Sequence, residues 1–250
     1  MEQTAAVVTL PEPGDLFAGN ALSRLGHELR GPLTGIIGLT SLMSRKTAAG
    51  TADPAQQTRQ LQMINDSASE LLGTVERIVA FAHSAGPADD RRFEPVDCVT
   101  VAADAVAAAG QTAAAKNRHV IVRTPPGPAR ALTDPGDARQ VVTELLGNAI
   151  RYADHPDIHV TVHPGGASTG PAVEIADHGP GLSPADQQRV FLPFERGDAA
   201  RDHDEHGVGL GLCLAQQLSR RCGATLSVRT SPSGTVCTVA FQPFPAGEEP

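Results

Sequence analysis

Two runs of apolar residues, spaced alternately three and four apart, constrain this chain more than any other feature. Leu22, Leu25, Leu29, Pro32, Ile36, Leu39 and Met43 form the first; Leu61, Ile64, Ala68, Leu71, Val75, Ile78 and Ala82 form the second. Such steps are the a/d seam of a helix that packs on other helices. The first helix is expected from near Asp15 to just before Gly50, with Thr47 to Pro54 as a turn, so the two make an antiparallel hairpin. A hairpin alone cannot cover both seams. A second copy, giving a four-helix homodimer, is the economical partner; a monomeric hairpin packed on the rest of the chain is the alternative.

His27 lies two residues from both Leu25 and Leu29. At about 100° per residue it points away from the seam and toward solvent. Pro32 removes the helical bond to the carbonyl of Glu28, so a kink is expected one turn past the histidine. A neutral imidazole with a free lone pair is a nucleophile. Glu28 is placed to take the ring proton during attack, and Arg30 to offset the charge of an incoming phosphate.

The string His27-Glu28-Leu29-Arg30-Gly31-Pro32-Leu33 closely resembles the H-box of two-component sensor histidine kinases. The resemblance implies that His27 is phosphorylated, that the hairpin dimerises, and that a receiver domain of a response regulator docks on it. A solvated helical histidine is the bland alternative.

Residues 1–14, with Pro11, Pro13 and Gly14, read as a loose arm, 15–84 as the hairpin, and 85–92 as a polar linker with Gly86 and Pro87. From Phe93 the pattern mixes helix and strand. Helices are expected at 97–115, 135–152, 184–189 and 209–221, and strands at 119–123, 129–132, 158–163, 172–176, 225–230 and 235–242. That order makes an α+β two-layer sandwich over 93–245 with helices on one sheet face, leaving 246–250 as a tail.

This second region contains no Gly-x-x-x-x-Gly-Lys-Ser/Thr loop and no early Gly-x-Gly-x-x-Gly after a strand. Its ordered boxes instead resemble the gyrase, chaperone and histidine-kinase superfamily of ATP-binding domains, from about Phe93 to Phe244. Glu144 to Tyr152 looks like the N-box. There the resemblance implies that Asn148 offers an amide oxygen to Mg²⁺, a hard cation that bridges phosphate oxygens. Arg151, on the same helix face, is placed to reach phosphate or else is a solvated surface charge, and Tyr152 packs along the nucleotide or at the core edge. Asp177-His178-Gly179-Pro180-Gly181 looks like the G1 box: Asp177 accepts a bond from the adenine amino group, and Gly179 and Gly181 let the backbone approach the ring. Phe191-Leu192-Pro193-Phe194 looks like the F-box at the hinge of a lid spanning Glu195 to His206, where Arg196 or Arg201 closes on phosphate. Gly207, Gly209 and Gly211 look like the G2 box, with helix-start N–H groups facing the polyphosphate. His203 and His206 read as solvated, lacking a ligand set.

Two positions depart from the family. Gly31 stands where Thr or Asn usually positions the water that hydrolyses the partner's phospho-aspartate, so weak phosphatase activity is expected. Glu144 stands where Asn is commoner. It serves as a second Mg²⁺ contact through water, as a proton acceptor, or as a base for ATP hydrolysis.

Charge and composition narrow the partners. Twenty basic residues stand against 28 acidic ones, a net charge of −8, and lysine occurs only at Lys46 and Lys116. No basic cluster suits nucleic acid or an anionic membrane. No uninterrupted apolar run approaches a membrane span, and the N-terminus lacks a positive secretory n-region. Cys98, Cys213, Cys222 and Cys237 show no C-x-x-C spacing, which suits a reduced, cytoplasmic setting. Most members of the family carry a sensor and membrane helices before the H-box. The stretch before His27 reads as neither, as in a soluble kinase or the cytoplasmic piece of a longer one.

The leading expectation is therefore an ATP-dependent protein-histidine kinase that phosphorylates His27 and passes the group to a response-regulator aspartate. An ATPase switch using Glu144, or an adaptor of the same fold that has lost turnover, are the other two readings.

Overall fold

The computed structural model describes residues 6–8, 21–84, 92–165, 169–197 and 209–245. They form two bodies, one spanning 15–82 and the other 83–250 together with the segment before residue 15.

The first body is the helical hairpin. Strand β1 (Ala6–Val8) precedes it in the chain; helix α1 runs Ala21–Ala48 and α2 Pro54–Ser84. The expected helix start at Asp15 lies outside the described residues. Helix α1 continues unbroken through Pro32, and Arg45 and Lys46 close it with positive charge where the helix dipole favours it. Gly50, at φ +65, turns the chain toward α2. Leu33, Ile37, Leu61, Leu72, Val75 and Val79 remain exposed along the two helices of a single copy.

The second body is a mixed sheet covered by helices. After β2 (Glu94–Asp97) and α3 (Cys98–Ala115) come β3 (His119–Arg123), β4 (Arg130–Thr133) and α4 (Pro135–Tyr152). Then follow β5 (Asp157–His163), β6 (Ala172–Ala176), the short α5 (Asp186–Arg189), α6 (Gly211–Arg221), β7 (Thr225–Ser231) and β8 (Gly234–Ala240). The large sheet has the order β1-β7-β8-β6-β5-β3, and β2 and β4 form a separate pair. All neighbours are antiparallel except β3 and β5.

Alternation fixes which face is covered. Ile158, Val160 and Val162 of β5, Val173 and Ile175 of β6, and Leu226 and Val228 of β7 all point inward and are buried. Helix α4 presents Val141, Val142, Leu145, Leu146, Ala149 and Ile150 to that layer, packed between α3 and α6. Its start is capped by Asp134, whose carboxylate accepts from Asp137 N–H at 3.0 Å. Asp137 is paired in turn with Arg221 of α6 at 2.9 Å. Arg118 reaches the carbonyls of Ile150 and Ala153 and ties down the other end of α4. Among the described residues α3 is the one helix long and apolar enough to cross a bilayer by length and composition. It is capped by Asp97, and its Asp104 pairs with Arg139 of α4 at 2.9 Å.

Several expectations need correction. The segment before residue 15 is not wholly a loose arm, because Ala6–Val8 form an edge strand on β7. Strand β2 is unexpected from sequence, because Pro95 within it counts against a strand unless the strand is short and at an edge, as here. The helix expected from Pro184 begins at Asp186, and the one expected from Gly209 begins at Gly211.

Candidate functional site

In the hairpin body, His27 is exposed and Glu28 half-buried on α1. His27, Arg30, Gly31, Thr34 and Gly35 line one shallow concavity along that helix. Small residues keep its floor low and leave the imidazole open to approach.

In the sheet body, β6 delivers Asp177 at its C-terminal end. Its Oδ1 accepts from Gly179 N–H at 2.9 Å and from Thr235 N–H at 3.2 Å, and its own N–H donates to Thr235 carbonyl at 2.9 Å. One carboxylate oxygen is thus held by backbone, and the other, Oδ2, has no hydrogen-bond partner among the described residues. Burial pushes the Asp177 carboxyl above the ordinary carboxylate range, and the Gly179 and Thr235 amides oppose this.

The glycine loop after Asp177 is held from two sides. Gly181 has φ +68, and a Cβ there would run into the carbonyl oxygen of Ser231. Leu182 N–H donates to Thr230 Oγ1 at 2.8 Å. On the other side Asp154 and His155 N–H both donate to His178 carbonyl, at 3.1 and 3.3 Å. The loop therefore rests between the end of α4 and the β7–β8 hairpin.

Helix α4 supplies the remaining polar groups. The Asn148 carboxamide packs directly over Gly211 at the start of α6: a Cβ on Gly211 would lie 2.9 Å from Oδ1 and 3.0 Å from Nδ2. Nδ2 is buried with no hydrogen-bond partner among the described residues. The unspent Nδ2 is a donor and, beside a helix N-terminus, suits a phosphate oxygen, whereas Oδ1 of the same carboxamide is the kind of oxygen that Mg²⁺ takes. Glu144, one turn earlier, is half-buried and close enough to Cys213 to help push that thiol upward, after burial itself. The Arg151 guanidinium carbon sits 5.9 Å from the Tyr152 ring centroid.

The segments flanking residues 198–208 are also defined. Phe191 and Phe194 are buried, and Phe194, at φ +60, donates its N–H to Gly209 carbonyl at 3.0 Å. The Arg196 carbonyl accepts from Arg189 at 2.9 Å. Gly207, Arg201, His203 and His206 lie outside the described residues. The two groups that sequence reasoning missed are Thr230 and Thr235. Neither carries a local signal, since each acts through a partner at least 48 residues away.

Comparison with known proteins finds two family models in this chain. Residues 18–86 match the His Kinase A (phospho-acceptor) domain, and residues 133–246 match the histidine kinase-, DNA gyrase B- and HSP90-like ATPase. The virulence sensor protein BvgS of Bordetella bronchiseptica is 31% identical over 226 residues, covering 87% of this chain and 18% of the relative. The probable sensor histidine kinase TcrY of Mycobacterium tuberculosis is 30% identical over 239 residues, covering 94% of this chain and 48% of the relative. The chain thus spans less than half the length of either. Among solved structures, full-length ShkA in complex with AMPPNP aligns with a TM-score of 0.63 at 24% identity, over 90% of this chain and 46% of that one. The histidine kinase ThkA in complex with response regulator protein TrrA aligns with a TM-score of 0.62 at 20% identity, over 92% and 63%.

Proposed function

This chain belongs to the two-component sensor histidine kinases, and from that premise we propose that it phosphorylates its own His27 from ATP and passes the group to a response-regulator aspartate. The observation that carries the reading is the exposed imidazole of His27 on a helix, in the same chain as a carboxylate, Asp177, whose one oxygen is fixed by two backbone amides.

In this reading Asp177 Oδ2 accepts from the adenine amino group and so selects adenine. Asn148 and Glu144 are the residues that would hold Mg²⁺, which would supply neutralisation of phosphate charge. Arg151, Arg196 and the backbone of Gly209 and Gly211 face the phosphates, with Gly207 assigned from sequence alone. Tyr152, Gly179, Gly181 and Phe191 shape the cleft. The His27 ring nitrogen forms a bond to the γ-phosphorus as the bond to the β–γ bridging oxygen breaks and ADP departs. The ring proton passes to Glu28. Positioning supplies most of the rate.

Phospho-His27 then transfers its phosphoryl group to an aspartate of a receiver domain docked on the hairpin; the ThkA–TrrA complex supports a partner of that kind. The exposed Leu33, Ile37, Leu72 and Val79 support a homodimer in which a second hairpin covers them. Four buried free thiols support a reducing, cytoplasmic setting.

Incubation with γ-labelled ATP tests the proposal. Acid-labile, base-stable label on the protein, lost in His27→Gln while nucleotide binding survives, is the expected result. Free phosphate without protein label would favour an ATPase switch based on Glu144, and neither would favour an adaptor.

A further inference from the structure

In chain order the helical hairpin interrupts the sheet body. Strand β1 precedes α1 in the chain yet belongs to the large sheet, where Ala6 pairs with Thr230, Val7 with Arg229 and Val8 with Val228. The pairing is amphipathic: Val8 is 4% exposed and Val7 70% exposed. Without β1, strand β7 would be a bare edge with unpaired backbone groups, a surface that accepts an added strand.

Two consequences follow from the chain order. With β1 docked, the sheet body is joined to the hairpin at both ends, through residues 9–20 before α1 and through residues 85–93 after α2. The first connection spans at most roughly 40 Å when fully extended. Undocked, only the second remains. Strand β1 also lies on the edge that supports the nucleotide loop: its partner Thr230 accepts from Leu182 N–H at 2.8 Å, and Ser231 backs Gly181.

We infer that residues 6–8 are a displaceable strap, a short edge strand that restrains the excursion carrying ATP to His27 and frees it on leaving β7. This rests on the reading that His27 takes its phosphoryl group from the Asp177 site. Three residues of edge pairing belong to the least stable class of structure, so displacement lies within reach of modest forces.

The test uses the full chain. Val8→Asp places a charge in the buried position and undocks the strap, whereas Val7→Asp alters only the exposed face and serves as the control. Backbone amide exchange over residues 226–230 and the rate of label appearing on His27 are measured in both. Val8→Asp raises exchange there and raises the labelling rate about threefold or more, as the transfer-competent fraction grows; Val7→Asp does neither. A second variant acts in the opposite direction. Val7→Cys with Arg229→Cys joins facing residues on the exposed side, at a spacing a disulfide accepts. Oxidation then slows labelling, and reductant restores it.

Unchanged exchange in Val8→Asp shows that no strand docks, and overturns the strap. Raised exchange with an unchanged or lower labelling rate, or an oxidised double-cysteine form as fast as the reduced one, overturns the restraint. A wild-type chain that takes no label at all sinks the phosphorylation reading and the restraint with it, and the exchange data still report docking separately.

Discussion

The backbone N–H of Phe194 donates to the carbonyl of Gly209 at 3.0 Å, with both residues at left-handed φ, +60 and +69. They flank residues 198–208, and this backbone bond joins the described segments on either side. A side-chain-bearing residue at such a φ stores strain of order 1–3 kcal/mol, which the burial of the Phe194 ring offsets.

Gly209→Ala tests that junction. An added Cβ meets the Glu195 carbonyl oxygen at 2.5 Å on a backbone that already disfavours it. Calorimetric titration with a non-hydrolysable ATP analogue is expected to show at least about a tenfold loss of affinity. The hairpin's association state, followed by sedimentation, stays as in the parent. Unaltered affinity would contradict this account of the junction.

Asp177→Asn separates folding from recognition. An amide oxygen still accepts from Gly179 and Thr235, while an NH₂ replaces the free carboxylate oxygen and opposes the adenine amino group. Burial raises the Asp177 carboxyl, so its ionised form costs the folded state. By linkage, this group's contribution to stability is fully present below the unfolded value of 3.8 and is lost as pH rises through the higher folded value. The substitution should therefore leave the melting temperature at neutral pH unchanged or higher. ATP binding should weaken by about 1–3 kcal/mol, the cost of unpaired buried donors. A lower melting temperature with normal ATP affinity would reverse both assignments.

Asn148→Ala addresses the cation. The Asn148 carboxamide over Gly211 is assigned through its Oδ1 to Mg²⁺, its unspent Nδ2 being a donor for phosphate. Nucleotide affinity measured in EDTA should be unaffected, whereas the increment gained on adding Mg²⁺ should vanish. An intact Mg²⁺ increment in the variant would remove Asn148 from the metal site.

Gly31→Thr probes the missing phosphatase group. Nothing lies within 4 Å of a Cβ built at Gly31, so threonine enters without a clash and improves helix propensity by about 0.4 kcal/mol. Dephosphorylation of a purified phospho-regulator is expected to be faster with the variant than with the parent. Equal rates would show that the glycine is not what limits the reaction.

The cysteines give a pH prediction. Burial pushes the thiols of Cys98 and Cys237 up to about 12, and those of Cys213 and Cys222 upward as well. Titration with a thiol reagent at pH 8 should find none of the four reactive in the native protein and all four after denaturation. Their neutral forms contribute stability below the ordinary thiol value of 9.0, and that stability is lost as pH climbs toward about 12. Native reactivity of even one would place that cysteine at the surface.

The helices were the most legible elements. Leu25, Leu29, Ile36 and Leu39 announce α1 because helix geometry repeats over many residues, and the same holds for α2 and α4. Asp177 and the glycines around it were legible because a tight turn after a strand demands particular residue types. Strand β1 was illegible: Ala6-Val7-Val8 is too short to have a period, and it is a strand only because β7 supplies its partner. Strand β2 was hidden by Pro95, which a two-stranded edge tolerates. Thr235 escaped because its role depends on the register of β8 against β6, which sets it beside a carboxylate 58 residues away.

What the residues determined alone is the chemistry on offer: a nucleophilic imidazole on a helix, a carboxylate after a strand, and glycines where backbone must come close. These follow from side-chain type and short-range geometry, which a linear string carries. Only the tertiary structure decided which carboxylate oxygen of Asp177 stays free, that Asn148 is left with an unspent amide, and that the strand before the hairpin docks on the sheet behind the nucleotide loop. Those facts depend on pairing between distant segments, and pairing energy is settled by the whole packed sheet rather than by any stretch of it.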